Sequence, residues 1–198
     1  MNTTAKRQNV TKTIRRKKPA IGIYSKMLIT RTISVPIINV GNGIKETLER
    51  TIAKSIEGKC VVEGYVKPGT TKIVTYSSGT ITGDSVSFEV AFECNACSPV
   101  EGMRILCVAK NITKAGIRAE IDDNPSPVVI FIARDHHNTM PYFSEVEEGR
   151  GIEVRVIGQR FELNDKYISI IAELIDPNKQ KSTKSQKSSK PKLIIKDS

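Results

Sequence analysis

The sequence predicts two β-rich modules in series: an α+β module in which an antiparallel sheet carries one main helix, then an all-β barrel of five strands. Three observations carry that prediction. Runs of β-branched and alternating residues recur along most of the chain, one segment alone shows clear helical periodicity, and Ser98-Pro99 breaks the pattern near its middle. The expected organisation is a basic tail without order over residues 1–26, a first module over 27–98, the barrel over 99–176, and a Lys/Ser-rich tail without order over 177–198.

Each element has a local reason. Over Met27 to Pro36 the residues Ile29, Thr30, Thr32, Ile33 and Val35 crowd together before a proline that helps end a strand. Gly41-Asn42-Gly43 then breaks the chain. IKETLERTIAKSI follows, with Ile44, Leu48, Ile52 and Ile56 at four-residue steps on one helical face, Asn42 as a candidate N-cap and Gly58 as the stop. Strands are expected at Cys60 to Val66, at Thr71 to Tyr76, and at Val86 to Cys94, where Val86, Phe88, Val90, Phe92 and Cys94 alternate with more polar residues.

In the second half, Ile105, Cys107 and Ala109 alternate toward one face, Asn111 to Ala115 turn, and Ile117, Ala119 and Ile121 resume the alternation. Gly116 leaves room for a close backbone approach where this hairpin reverses. A third strand is expected at Pro127 to Ala133, then a longer polar loop, RDHHNTMPYFSEVEEGR, and two further strands joined at Asn164-Asp165. Five strands with one long connection after the third point to a small closed barrel of the oligonucleotide-binding type.

Charge has to be divided along the chain before it means anything. The net charge is +10, but residues 1–26 carry eight Lys/Arg and no acid, and residues 177–198 carry seven Lys against Asp197. The body over 28–176 holds sixteen basic and twenty acidic residues, a balance of −4. The excess positive charge therefore reads as two tails able to attract phosphates, not as a folded basic surface. Arg15 to Lys18 (RRKK) has the composition of a nuclear-entry patch, although a solvated tail is the simpler reading.

Other classes find little support. No window approaches the roughly 20 apolar residues of a membrane span, and the start lacks the apolar run of a secretory signal. Four cysteines do not make a disulfide framework at this length, so a reduced compartment fits best. His136 and His137 are adjacent and are the only histidines, and no Ser/His/acid set or phosphate-cradling loop is visible, so neither catalysis nor a cofactor is expected. Cys94-Asn95-Ala96-Cys97 has the spacing of half a zinc site, with Cys60 and Cys107 as remote candidates. Buried free thiols are the better reading, and no metal is expected.

EGMRILCVAKNITKAGIRAEI, VVIFIARDH and GIEVRVIGQRFELNDKYISIIAEL together resemble the RNA-binding OB-fold barrel of the ribosomal S-one type. The preceding stretch, IEGKCVVEGYVKPGTTKIVTYSSGTITGDSVSFEVAFECNACSPVEGM, resembles the front half of the seventh-largest subunit of eukaryotic RNA polymerase II and of its counterpart in the archaeal RNA polymerase. The likeness runs from about Met27 to Ile175, and the two tails are departures from it. It implies a non-catalytic stalk subunit of a DNA-dependent RNA polymerase, acting in transcription and its initiation, with core polymerase subunits, nascent RNA and a smaller helical stalk protein as partners.

In TKIVTYSSGTI, the likeness assigns core docking to Tyr76, Ser77, Ser78, Gly79, Thr80 and Ile81; the residues alone read as a flexible Ser77-Ser78-Gly79 turn or an ordinary hairpin turn. On the barrel it assigns RNA contact by base stacking to Arg118 and Phe131; Lys110, Lys114, Arg134 and His136 are candidates to surround that platform and touch phosphates, and each reads equally well as a solvated charge. Arg118 stands where relatives often place an aromatic, and Phe131 lies in an apolar run that also suits a core. The compartment implied is the nucleus or, for an archaeal or large-DNA-virus member, the cytoplasm or virion. The alternative from another class is a free-standing RNA-binding or translation-associated protein built on the same barrel.

Overall fold

The computed structural model describes residues 22–177, so the expectations for residues 1–21 and 178–198 lie outside the described residues. The first strand, β1 (Tyr24–Pro36), begins three residues earlier than the alternation suggests. Residues 24–26, expected in the tail, pair with Cys97, Ala96 and Asn95 and belong to the sheet. The helix α1 (Ile44–Ile56) forms over the expected span, and Leu48, Ile52 and Ile56 are buried. Its cap is not Asn42 but Gly43, whose φ of 92° lies in the left-handed region that favours glycine. Gly43 caps with its backbone carbonyl, which accepts the Thr47 N–H at 3.2 Å.

The expected strand at residues 60–66 is instead a small hairpin, β2 (Cys60–Val61) and β3 (Gly64–Val66). Gly64 makes the reversal, with φ at 127° and the Cys97 carbonyl where a Cβ would go. β4 (Lys72–Tyr76) and β5 (Thr80–Thr82) both pair with β6 (Ser85–Cys97). This long strand is the spine of the sheet, with β1 along one side and β3, β4 and β5 in succession along the other. Val86, Phe88, Val90, Phe92 and Cys94 are all buried, as their alternation requires. Together with Ile29, Val35, Ile73 and the α1 stripe they make one apolar cluster.

After Ser98-Pro99 the chain forms β7 (Arg104–Ile112), β8 (Gly116–Glu120), β9 (Val128–Ala133), β10 (Gly151–Arg160) and β11 (Ile168–Leu174). They close into a barrel in the order β7-β8-β9-β11-β10, returning to β7. β9 and β11 run parallel and the other pairs antiparallel. A closed barrel of five strands is therefore present, consistent with the oligonucleotide-binding type that was expected. The loop between β9 and β10, expected to be polar, is a plug: it contains a 3-10 turn (Arg134–His137) and the short helix α2 (Pro141–Ser144), and it buries His137, Tyr142, Phe143 and Val146.

His137 explains how a polar group is tolerated there. The Leu174 N–H donates to its Nε2 at 2.8 Å, so Nδ1 carries the proton and donates to the Ala133 carbonyl at 2.7 Å. The ring also stacks on Phe143, centroids 5.3 Å apart.

The two sheets meet through shared core as well as polar contacts. Cys60, Tyr65 and Cys97 of the first sheet pack in the barrel's apolar cluster. The Cys60 N–H donates to the Asp165 carbonyl at 2.8 Å, and the Asn164 N–H donates to the Cys60 carbonyl at 2.9 Å. Lys67 pairs with Asp123 at 2.8 Å and lies 4.6 Å from the centre of the Tyr24 ring. The Lys67 hydrogen bond holds the Asp123 carboxyl below its ordinary range, while burial and then Asp123 push the Tyr24 phenol upward.

Candidate docking end and nucleic-acid face

The stretch Tyr76–Ile81 is neither a flexible turn nor a hairpin. Tyr76 pairs with Val90 and Thr80 with Ser87, so three residues, Ser77, Ser78 and Gly79, stand opposite Phe88 and Glu89. That surplus of one residue is a bulge in what is otherwise one continuous strand. The bulge is pinned: the Ser77 N–H donates to the Glu89 carbonyl at 2.9 Å, and the Glu89 N–H donates to Ser77 Oγ at 3.0 Å. Gly79 is required because a Cβ there would come within 2.8 Å of the Phe88 ring. The chain actually reverses at Gly83 and Asp84, with Gly83 at φ 63°.

The register puts Tyr76 and Ile81 on the same face as the core, opposite Val90 and Val86. α1 does not extend over them: Ile81 is 69% exposed and Tyr76 is exposed as well, its ring edge-on to Phe88 at 6.4 Å. The sequence reading missed their neighbours. A 3-10 turn, Ile37–Asn39, follows β1, and the Ile37 N–H donates to the Asp84 carbonyl at 2.9 Å. It presents Ile37 and Ile38, the latter 88% exposed, with Val40 also exposed beside it. The signal was available, because two isoleucines between a proline and a Gly-Asn-Gly break belong to neither the strand nor the helix.

An apolar hollow of about 340 Å³ lies where α1, β1 and β2 face the β10–β11 turn. Ile52, Ile56, Val61, Val62 and Leu163 are among its apolar lining residues. Arg31 also lines it and pairs with Glu63 at 2.8 Å.

On the barrel, the expected RNA-contacting residues fall on one side and one rim. Arg118 stands directly opposite Phe131 across β8 and β9. Phe131 is not core: it is 39% exposed, and its ring lies 3.1 Å from where a Cβ on Gly116 would sit. The next strand supplies a residue the sequence reading missed, Ile171, paired with Phe131 in parallel register and 52% exposed. Lys110 and Lys114 are exposed at the β7–β8 end, and Arg134 Nε donates to the Lys114 carbonyl at 2.9 Å. Arg134 also lies 5.1 Å from the Phe143 ring centre, so it has a bracing part to play in the rim; His136 is exposed on the same 3-10 turn.

The positive charge of this side is offset nearby. Arg118 pairs with Glu120 at 3.0 Å, Asp135 is adjacent to Arg134, and Glu148 accepts the Ile112 N–H at 3.1 Å. The barrel segment over 99–176 carries nine basic and thirteen acidic residues, so the whole −4 of the body resides in it.

The cysteines follow the thiol reading. All four are buried and free, and among the described residues no group of His, Cys, Asp and Glu is placed to hold a metal. Cys94 packs in the first sheet's cluster and Cys97 in the barrel's, as a spacing of three along a strand dictates. Burial pushes the Cys97 and Cys107 thiols up to about 12.

No protein-family model matches the chain. It is 28% identical over 158 residues to a protein of Acanthamoeba polyphaga mimivirus named provisionally as a DNA-directed RNA polymerase subunit. The alignment covers 72% of this chain and 76% of that protein.

Proposed function

We propose that this chain is a non-catalytic stalk subunit of a multisubunit DNA-dependent RNA polymerase. Its first sheet docks on the polymerase body through the apolar end formed by Tyr76, Ile81, Ile37 and Ile38, and its barrel contacts nascent RNA. One observation carries the reading: similarity to the viral polymerase protein extends over 158 residues, more than either module contains, so a shared barrel alone does not account for it. A free-standing RNA-binding protein would need only the barrel.

The apolar end supports docking because solvent-facing isoleucines grouped at one end of a sheet are the kind of anchor that fills a partner's pocket. The hollow lined by Ile52, Ile56, Val62 and Leu163 is the seat this reading assigns to a smaller helical partner. The viral source of the relative favours the cytoplasm or virion over the nucleus as the compartment. Affinity purification of the tagged chain from its source cells, followed by mass spectrometry, is expected to recover the large polymerase subunits. Purification that recovers RNA but none of those subunits would leave the free-standing alternative in possession.

A further inference from the structure

Resting on that docking reading, we propose that α1 carries an anion-accepting hollow beside the apolar end, and that its occupant is a carboxylate-bearing segment of the polymerase body. The hollow, of about 490 Å³, lies between α1 and the 3-10 turn Ile37–Asn39. Its lining is Asn39, Thr47, Arg50, Thr51 and Lys54, with no acidic, aromatic or large apolar side chain among them.

Helix geometry makes the cluster. Residues 47, 50, 51 and 54 stand at i, i+3, i+4 and i+7 and share one stripe of α1, distinct from the buried stripe of Leu48, Ile52 and Ile56. Arg50 and Lys54 are about one turn apart, roughly 6 Å along the axis. The Thr51 hydroxyl donates to the Thr47 carbonyl at 2.8 Å. The donors left for a ligand are the Arg50 and Lys54 side chains, the Thr47 hydroxyl and the Asn39 amide.

Arg50 is the second observation. Of the eight arginines among the described residues, five are ion-paired to carboxylates, and Arg134 and Arg150 are bonded to backbone carbonyls. Arg50 makes no hydrogen bond, ion pair or ring contact among those residues. A partner stands at the right spacing, since Glu46 lies four residues earlier on the helix. Its carboxylate turns back instead to the N-terminus, where Oε2 lies 2.7 Å from the position a Cβ on Gly43 would take and the helix dipole favours negative charge. Lys54 has a local reason, as a cation in the last turn. Arg50 has none, and a like charge four residues on repels it.

The third observation is place. Asn39 follows directly on Ile38, so the hollow begins where the exposed isoleucines end. Residues 28–98 carry seven basic and seven acidic residues, so the cationic stripe is a local segregation within a neutral module. Apolar anchors with a polar flank are the layout of a protein interface, in which the flanking charges fix orientation and speed encounter. A guanidinium fork takes a carboxylate through two parallel N–H···O bonds. A nucleic acid fits less well, because its binding builds on rows of phosphate contacts and on stacking faces, and this hollow has two cations and nothing to stack on.

The test has two arms. In the first, hexaglutamate is titrated into the full chain and backbone amide shifts are read by NMR at residues 39 and 47–54, so that attraction of the peptide to other lysines does not enter. Saturating shifts are expected at Asn39, Thr47, Arg50 and Thr51, larger than those from oligouridine or inorganic phosphate at equal charge. They should vanish in Arg50→Gln and persist in Lys45→Gln, which removes an exposed charge from the same helix outside the hollow. In the second arm, Arg50→Glu should weaken co-purification of the large polymerase subunits at least about fivefold and Lys45→Glu less than about twofold, with Arg50→Lys between them.

Shifts that survive Arg50→Gln, or an Arg50→Glu chain that recovers the large subunits as the parent does, would overturn the hollow while leaving the apolar docking end standing. Larger shifts with oligouridine or phosphate would overturn the choice of a carboxylate. A parent chain that recovers no large subunit would remove the docking reading itself, and this occupant with it. Arg50 is exposed, so matched melting curves separate lost contact from lost fold.

Discussion

The first sheet and the barrel are both built on alternating strands, yet they dispose of their edges in opposite ways. The barrel closes on itself through β7 and β10, and its interior is filled from within and plugged by Tyr142, Phe143 and Val146. The first sheet does not close. β1 pairs with β6 along thirteen residues without a register shift, and β1 has no strand on its other side among the described residues. One sheet face is covered by α1, while Leu28 and Val74 are exposed on strands of the same sheet. Closure leaves a barrel only its outer face with which to meet a ligand, whereas an open sheet keeps apolar ends, edges and faces to offer a protein. The division of labour proposed above follows that difference.

The comparison can be broken most severely in the cores. Phe92, fully buried at the centre of the first sheet, is expected to destabilise the protein by about 3–5 kcal/mol when replaced by Ala, and Ile130 in the barrel by about 2–5 kcal/mol. The informative reading is where protection is lost. Because Cys60, Tyr65 and Cys97 pack in the barrel's cluster, Ile130→Ala should speed amide exchange at Tyr65 and Val66 as well as in β8 and β9. Unchanged exchange at 65 and 66 would mean the two sheets open independently. A smaller effect is expected at the plug: His137→Phe keeps the stacking on Phe143 but leaves the Leu174 N–H unpaired, and should cost about 1–3 kcal/mol in chemical denaturation, with most of that recovered by the hydrogen-bonding His137→Gln.

Much of this architecture was legible because periodicity reports burial. The alternation of Val86 to Cys94 and of Ile105 to Ala109 gave strands with the right buried faces, and the four-residue steps from Ile44 gave α1. Where the reading failed, tertiary pairing had decided the outcome. Ser77-Ser78-Gly79 has the composition of a turn, but it bulges instead because β4 and β5 both find β6, and only pairing partners distinguish the two. Asn42 has the chemistry of a cap, but the left-handed glycine beside it closes the helix with its backbone. The long β9–β10 loop looked polar by count. Its few apolar residues, Tyr142, Phe143 and Val146, are the ones that enter the barrel. Within the candidate site, Arg118 and Phe131 were found on adjacent strands, but Ile171 depended on the parallel pairing of β9 with β11, which local sequence does not encode.

The junction offers a milder perturbation with a pH signature. Asp123 is held below its ordinary value of 3.8, chiefly by its hydrogen bond from Lys67. A depressed carboxyl contributes stability that is present above that ordinary value and lost as the pH falls through the folded value. Both partners are partly exposed, so the contribution should be no more than about 1 kcal/mol. Asp123→Asn is therefore expected to lower stability slightly at neutral pH and to flatten its decline below pH 4, as followed by denaturation at pH 7 and pH 3. An Asn variant whose acid decline matches the parent's would show that this contact does not tie the sheet to the barrel.

The smallest effect on folding should accompany the largest effect on assembly. Ile81 projects from the sheet opposite Val86 but is 69% exposed, so Ile81→Ser removes little apolar contact and should shift stability within about 0.5 kcal/mol. If the Tyr76–Ile81 end docks on the polymerase body, the same change leaves a partner's pocket unfilled and should weaken co-purification of the large subunits by tenfold or more, as a central anchor does. Ile38→Ser, on the turn bound to Asp84, should behave alike, whereas Leu28→Ser, on a strand of the same sheet and comparably exposed, should not. The contrast between Ile81 and Leu28 distinguishes a docking end from a generally sticky sheet, because both substitutions remove an exposed aliphatic side chain and only their places differ. Equal loss from both would move the interface from the bulged end to the open face.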